Sequence, residues 1–420
     1  MSNLTLIQLI SAQAMQNLLP ALALNASQTS EIYTPGFTSK LGLVTAACSA
    51  ANHSLISTPV LLSTMPGIEE TRASVAQLIA DAKARGEMPV VNFTGATKLM
   101  SIGAWQAAKD GAVPSVYVDT QTGEFIDGGT CVGASIADHL PGRDVSFNTV
   151  AARLNVDVIA ATNGVTRVTI GRDESPLAPL TAILLGDNQM EESSWNAMRE
   201  RGGLVERALG SASYSARDVN QCLDMLETVV EGLPSAVAQA AVASGLLVET
   251  EKGLFLSESP DGRNLFDEGN FLLQNRLGKE DYRRRFAALR EAVDFPINFL
   301  SGAWIEAAVA DKMRTSGKFN DVRWSVNVGV QDGYDLEEDV VAVSGVQLAY
   351  VSCKRSDRLL AHAEEIDARA RRVGGQFTSR YYIIHKMPYG QVLADLQQRC
   401  KQLNGIRLIS TKELASGNPF

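Results

Sequence analysis

Glu337-Glu338-Asp339-Val340-Val341-Ala342-Val343-Ser344-Gly345-Val346-Gln347-Leu348-Ala349-Tyr350-Val351-Ser352-Cys353-Lys354 is the stretch that decides the fold. Acidic residues open an apolar run, Ser344-Gly345 interrupts it, and a second apolar run ends on a lysine. Two β-rich runs around a glycine turn read as an antiparallel hairpin. That pairing places Asp339 and Lys354 near the same end of neighbouring strands. Each charge alone reads as a strand end reaching solvent, yet a charge on an otherwise apolar strand is costly without a partner. A carboxylate held there can bind a divalent metal, and an ammonium beside it can direct an activated water at phosphate.

Working outward from the hairpin, Ser301 reads as the N-cap of a helix that runs to Thr315 and closes near Gly317. Glu306 lies on it among Ala303, Ile305, Ala307, Ala308 and Val309. It either faces water, favoured by the helix dipole, or is buried with a cation. Val322, Trp324, Val326, Val328 and Val330 alternate with polar residues, the period of a half-buried strand. Beyond Lys354 the pattern gives a helix over Leu360–Arg372, a strand over Tyr381–Ile384, a helix over Val392–Leu403 and a strand over Ile406–Ile409. Residues 266–420 therefore read as one compact α/β domain.

The first 150 residues alternate strands and helices. Strands are predicted at Leu4–Ile10, Leu41–Thr45, Pro89–Phe93 and Ser115–Asp119, and helices at Ala14–Leu24, Ile68–Arg85 and Leu99–Lys109. Such alternation gives a parallel sheet with helices on both faces, a Rossmann-like domain. Asp119 to Phe125 adds a hairpin and hence an antiparallel edge. Between the third strand and its helix stands Asn92-Phe93-Thr94-Gly95-Ala96-Thr97-Lys98. Glycine, two threonine hydroxyls, helix-start amides and a lysine can hold a phosphate there, although the Walker A spacing is absent. The first strand–helix junction, Ser11-Ala12-Gln13-Ala14-Met15-Gln16-Asn17, supplies further polar groups at the same carboxyl edge, where open α/β sheets bind ligands.

Residues 151–265 read as a connector. Glycine-rich breaks at Gly202-Gly203 and Gly210–Ser215 precede helical stretches over Val219–Glu231 and Ala236–Ser244. A small hairpin over Gly245–Leu256 follows, an order that resembles a winged helix. A winged helix can contact DNA or merely pack as a spacer. The 420 residues are 45% hydrophobic and 20% charged, a globular composition. Their net charge of -9 argues against a chain coated with nucleic acid along its length. Positive charge gathers instead in the last third, at Arg283-Arg284-Arg285, Arg290, Lys354-Arg355, Arg358, Arg369, Arg371-Arg372 and Arg380. Five scattered cysteines give no zinc or disulfide spacing. With no signal peptide or membrane-length apolar run, a cytoplasmic location is expected.

The order Gly302-x-Trp304-x-Glu306, Glu337-Glu338-Asp339-Val340 and Ser352-Cys353-Lys354 resembles the PD-(D/E)xK nuclease superfamily. In particular it is similar to the nuclease domain that follows a CARF (CRISPR-associated Rossmann fold) sensor. Thr94-Gly95-Ala96-Thr97-Lys98 resembles the strand–T-G-x-T-K–helix feature of that sensor. The resemblance covers about residues 1–145 and 265–420. It implies an N-terminal CARF domain plus a C-terminal restriction-endonuclease-like domain. It implies a metal-dependent endonuclease of type III CRISPR antiviral defence, working with Mn2+ or Mg2+ and acting on DNA, by nicking or on single strands, and/or on RNA. Asp339 would ligate the metal, Glu306 assist and Lys354 position the attacking hydroxide. Ser352 stands where the superfamily carries an acid, so coordination would fall on the carbonyl of Cys353 and on Glu338 or Glu337. Cys353 as a nucleophile is the weaker reading, because no histidine lies near it in sequence. The resemblance further implies a homodimer whose paired sensor domains bind a cyclic oligoadenylate, the four-membered ring fitting a two-fold axis. Ser11, Ala12, Gln13, Asn17, Asn92 and Thr94–Lys98 would contact that ring. The alternative is a ligand-responsive transcription regulator with a degenerate nuclease core, kept open by Ser352.

Overall fold

The structure is a computed structural model that describes residues 3–119, 124–131, 150–172, 175–186, 220, 233–250, 253–256, 271–330, 335–354, 359–385 and 387–420. The stretches at Gly202-Gly203, Gly210–Ser215 and most of Val219–Glu231, with Arg355 and Arg358, lie outside the described residues.

The first sheet comprises β1 (Leu4–Leu9), β2 (Gln28–Tyr33), β3 (Ile56–Leu61), β4 (Met88–Asn92), β5 (Ser115–Asp119) and β6 (Glu124–Asp127). They lie side by side in the order β3-β2-β1-β4-β5-β6, and only β6 is antiparallel to its neighbour. Helices α1 (Met15–Ala23), α2 (Leu43–Ala50), α3 (Ile68–Ala84) and α4 (Lys98–Asp110) cover its faces. The strand order reverses between β1 and β4, which opens a crevice at their carboxyl ends. This is the expected Rossmann-like arrangement, including the antiparallel edge.

Two strands escaped the sequence, and one expected strand is a helix. Leu41–Thr45 enters α2 through Gly42, which turns at a φ of +80°. Leu43, Val44, Ala47 and Cys48 are then buried at helical spacing, a better use of these residues than an extended run. The real second strand, β2, buries Thr29, Ser30 and Glu31, so no apolar run marks it. β3 is an exposed edge carrying Pro59, which an edge strand tolerates.

Glu31 is nearly inaccessible and lies opposite Gln8, itself fully buried. Glu31 Oε1 and both amide atoms of Gln8 have no hydrogen-bond partner among the described residues. Burial pushes the Glu31 carboxyl up, against hydrogen bonds from Ser57 and the Gly42 amide. A carboxyl raised by folding contributes stability below its unfolded value, and this is lost as pH climbs through the folded value. Glu31→Gln should therefore raise the Tm at pH 8 and lose that advantage toward pH 4. Equal shifts at both pH values would contradict the account.

The second sheet contains β7 (Val165–Val168), β10 (Asp321–Val330), β11 (Asp335–Ser344), β12 (Gln347–Lys354), β13 (Ser379–Ile384) and β14 (Arg407–Ser410), in the order β14-β13-β12-β11-β10-β7. β7, β10, β11 and β12 are antiparallel neighbours, whereas β12, β13 and β14 run parallel. Residues 150–186 also supply α5 (Val156–Ala161) and α6 (Ala178–Gly186). Asp321 accepts from the Val156 amide at 2.9 Å, and Arg323 reaches Asp157 at 2.6 Å. α7 (Ser235–Ala243) precedes the small hairpin of β8 (Leu247–Thr250) and β9 (Gly253–Leu256).

Helices α8 (Lys279–Asn298), α9 (Trp304–Thr315), α10 (Leu359–Gly374), α11 (Gly390–Gln402) and α12 (Thr411–Ser416) complete the second domain. The chain passes from α8 to α9 through a wide helical turn over Phe299–Ala303, so Ser301 is not an N-cap. Strand β10 carries the expected alternation but not one buried face. Val322 and Trp324 pack with the α9 side, while Val326 and Val328 join the core shared with α5 and α10. Ser325, at a φ of +51°, breaks the pleat between them. That second core continues into the first domain, through Leu18, Leu22, Val44 and Ala47.

Candidate active site and effector cleft

The β11–β12 ladder runs from Ser344 opposite Gln347 to Val340 opposite Val351 and stops there. β12 stays paired with β13 as far as Lys354. Asp339 is thus the first residue beyond the ladder, and its side chain replaces the missing backbone partner. Its Oδ2 accepts from the Cys353 amide at 2.7 Å, the Ser352 hydroxyl at 2.9 Å and Lys354 Nζ at 3.1 Å. Three donors on one oxygen fix the carboxylate and leave Oδ1 with no hydrogen bond among the described residues. Ser352 thereby gains a role: it steadies Asp339.

Glu306, near the start of α9, completes the group. Desolvation pushes its carboxyl well above the ordinary range, Asp339 and Glu337 push the same way, and Lys354 opposes them. The helix-start glutamate is therefore not a freely solvated one. Burial alone would lower the Lys354 ammonium, but the Asp339 carboxylate outweighs it and holds the lysine above its usual value. Burial, Asp339 and Glu306 drive the Cys353 thiol well up, which removes the thiolate a nucleophile needs. His385, which sequence reasoning passed over, donates its amide to the Lys354 carbonyl at 3.3 Å. Its ring meets that of Trp304 edge-on, tying β13 to the turn of α9 that carries Glu306.

Glu338 is not brought into this group. It is fully buried on the α10 side, where Tyr350 donates to its Oε2 at 2.6 Å and Arg369 lies 3.3 Å from the same oxygen. Arg369 also grips the Glu337 carbonyl at 2.8 Å. The trio pins β11 one residue before Asp339. Neighbouring acids on a strand point to opposite faces, and the acidic run hid which of them faced the site.

Among the described residues, no group of three or more His, Cys, Asp or Glu side chains is gathered as a metal cage. What is gathered is two carboxylates, Asp339 and Glu306, the second strongly desolvated by its surroundings. Such a pair repels itself unless a proton or a cation intervenes. Mg2+ is commonly held by one or two carboxylates, keeping waters and taking substrate phosphate as further ligands. The residues present fit an ion of that kind.

At the first domain's crevice the expected contacts divide into scaffold and lining. Asn17 donates to the Leu9 carbonyl at 2.9 Å, and Asn92 donates to the Gln16 carbonyl at 2.9 Å. Asn92 Oδ1 accepts from the Thr94 hydroxyl at 2.6 Å, and Thr94 Oγ1 accepts from the Val118 amide at 2.7 Å. Asn92 thereby joins the two loops, while Asn17 closes the first onto β1 and Thr94 ties the second to β5. Ser11 Oγ accepts from the Gln13 amide at 3.1 Å and turns the first loop. Gly95 is obligatory, since a Cβ there would lie 2.1 Å from the Leu9 carbonyl oxygen. Ala96 follows at a φ of +64°, and Thr97 caps α4 by accepting from the Met100 amide at 3.3 Å. Ala96, Thr97 and Lys98 line a cleft of about 500 Å³ whose other walls include Ile10, Thr34 and Phe37. Ala12 and Gln13 face elsewhere, into a small cavity against the second domain.

The fold, a Rossmann-like domain joined to a second mixed α/β domain built on a six-stranded sheet, is shared with solved structures that include CRISPR defence proteins. Among solved structures with this fold, protein VC1899 from Vibrio cholerae is similar at a TM-score of 0.62 and 14% identity, over 98% of this chain and 95% of that one. Can2 from Sulfobacillus thermosulfidooxidans, solved in complex with cyclic tetra-adenylate, is similar at a TM-score of 0.58 and 14% identity, over 98% and 95%. A type III CRISPR defence DNA nuclease activated by cyclic oligoadenylate is similar at a TM-score of 0.51 and 16% identity. That match takes in 93% of this chain and 47% of the longer one. No family model and no curated protein matches the sequence. Among the described residues no helix is long and apolar enough to cross a membrane.

Proposed function

We propose that this chain is a nuclease of type III CRISPR defence, switched on by a cyclic oligoadenylate and cutting phosphodiester bonds at the Asp339–Glu306–Lys354 site. The observation that carries the reading is the splayed end of the β11–β12 hairpin, where Asp339 holds Lys354 at 3.1 Å beside the desolvated Glu306. Asp339 and Glu306 would hold Mn2+ or Mg2+, which when bound supplies an activated water and neutralises charge on the phosphate. The chain's own residues do the rest. Cys353 and Ser352 hold Asp339 in place, and Lys354 offers its ammonium to the phosphoryl oxygens as charge builds. Cyclic tetra-adenylate is the activator proposed for the Lys98 cleft, and two copies of the chain would enclose it, a two-fold ring on a two-fold axis. The proposed substrate is DNA, nicked by the enzyme or cut as a single strand, with RNA as the alternative target, and the proposed setting is the cytoplasm.

The test is a cleavage assay on single-stranded DNA, plasmid and RNA, with Mn2+ or Mg2+ and a panel of cyclic oligoadenylates. Cleavage that requires both metal and the four-membered ring is the expected result. Equal cleavage without any ring, or none under all conditions, would overturn the reading.

A further inference from the structure

One loop touches both sites' surroundings. Ile10 lines the 500 Å³ cleft, and Ala12 to Met15, only two to five residues on, line a second cavity between the domains. The far wall of that cavity is Val346 and Gln347 of the β11–β12 turn, with Gly374 to Phe377 of the α10–β13 turn. These two turns form one surface. A Cβ on Gly374 would fall 2.7 Å from that of Leu348, and one on Gly375, at a φ of +81°, 2.9 Å from Asn163 Oδ1. The hairpin that begins at this surface ends at Asp339 and Lys354, one strand length away, about 25 Å at the rise of a β-strand. Its interior is regular and dry, since Val340 to Val343 and Leu348 to Val351 are all buried. A paired, buried hairpin transmits a shift at its turn to its open end instead of absorbing it. The interdomain cavity measures about 110 Å³. That is room for a few waters at about 30 Å³ each, so the seat of the turn leaves space for it to shift.

We propose that the β11–β12 hairpin is the lever by which ligand in the first domain's cleft controls the Asp339–Lys354 site, with its Val346-Gln347 turn read by the Ala12–Met15 loop. The inference rests on the proposed function and names the regulation of that same site. Ligand pressing on Ile10 moves the loop, the loop reseats the turn, and the splay at Asp339 opens or closes.

Two variants test it in the full chain, Val346→Ala at the turn and Phe377→Ala in the adjoining one. Both lie outside the cleft and the acidic site. The expected result is unchanged binding of cyclic tetra-adenylate by calorimetry and unchanged unstimulated cleavage, with ligand-stimulated cleavage reduced by about tenfold. Hydrogen exchange on the unaltered chain needs no variant: ligand should change exchange at 11–15, 345–348 and 352–354 together. Variants stimulated like the parent, or an exchange change confined to the first domain, would overturn the lever. A parent chain that binds no ring overturns the proposed function as well, and the binding arm separates the two failures.

Discussion

Asp339→Asn is expected to abolish cleavage while leaving binding of the cyclic activator untouched. Asparagine is the same size, and its carbonyl oxygen can still accept from the Cys353 amide, which Asp339 now binds at 2.7 Å. The fold should therefore survive, with a Tm close to that of the parent. What is lost is charge. A cation site made of Asp339 and Glu306 keeps one acid, and that acid is the one burial pushes toward its neutral form. Lys354 loses the carboxylate that sets its position and holds its pKa up. The fall in rate should reach about three orders of magnitude, the scale of removing one preorganised electrostatic group. Lys354→Ala should be comparably inactive. Retained cleavage by either stably folded variant would mean that the chemistry lies elsewhere.

The second large effect is expected at Gly95. An alanine there would place its Cβ 2.1 Å from the Leu9 oxygen and 3.0 Å from the Leu9 carbonyl carbon. Both are backbone atoms, so no rotamer change relieves the clash. The β1–α1 and β4–α4 loops must separate, at a cost of about 1–3 kcal/mol typical of overpacked sites. The Asn92 bond to the Gln16 carbonyl at 2.9 Å opposes that separation, and Thr94, held by the Val118 amide at 2.7 Å, keeps the second loop on β5, so the strain concentrates at the cleft. Gly95→Ala should lower the Tm and raise the activator concentration needed for half-maximal cleavage by about tenfold or more. Lys98→Ala should raise it without lowering the Tm, whereas Thr97→Ala should raise it and also lower the Tm modestly, because the α4 cap is lost. An activation curve for Gly95→Ala that overlays the parent's would remove this cleft from the mechanism.

The hairpin and its lysine were legible in the sequence because apolar strand periodicity and a Ser-Gly turn leave little choice of register. The parallel sheet was legible at β1, β4 and β5, where short β-rich runs such as Leu6-Ile7, Val90-Val91 and Val116-Tyr117-Val118 alternate with helical patterns. β2 was not, because Thr29, Ser30 and Glu31 are buried polar residues whose value depends on neighbours distant in sequence. Leu41–Thr45 misled because five apolar-leaning residues fit either period. In the acidic site, spacing alone marked Asp339, Lys354 and Glu306 as candidates. It did not say which of Glu337, Glu338 and Asp339 turned inward, a matter settled by where the ladder ends and by Arg369 on α10. Likewise Asn17, Asn92 and Thr94 read as ligand groups, whereas Asn92 and Thr94 spend their hydrogen bonds on the scaffold, and Asn17 gives its amide to the Leu9 carbonyl while its Oδ1 has no partner among the described residues. Polar residues at a sheet edge look alike until their partners are known.

Strand β10 contributes Val322 and Trp324 to one core and Val326 and Val328 to the other, and the latter also holds Leu18 and Val44 of the first sheet's helices. The two halves are consequently poor interchangeable parts. Grafting this sensor onto a different effector would strip the apolar face that α5 and β10 now cover, so a working chimera must carry residues 150–172 and a matching strand with it.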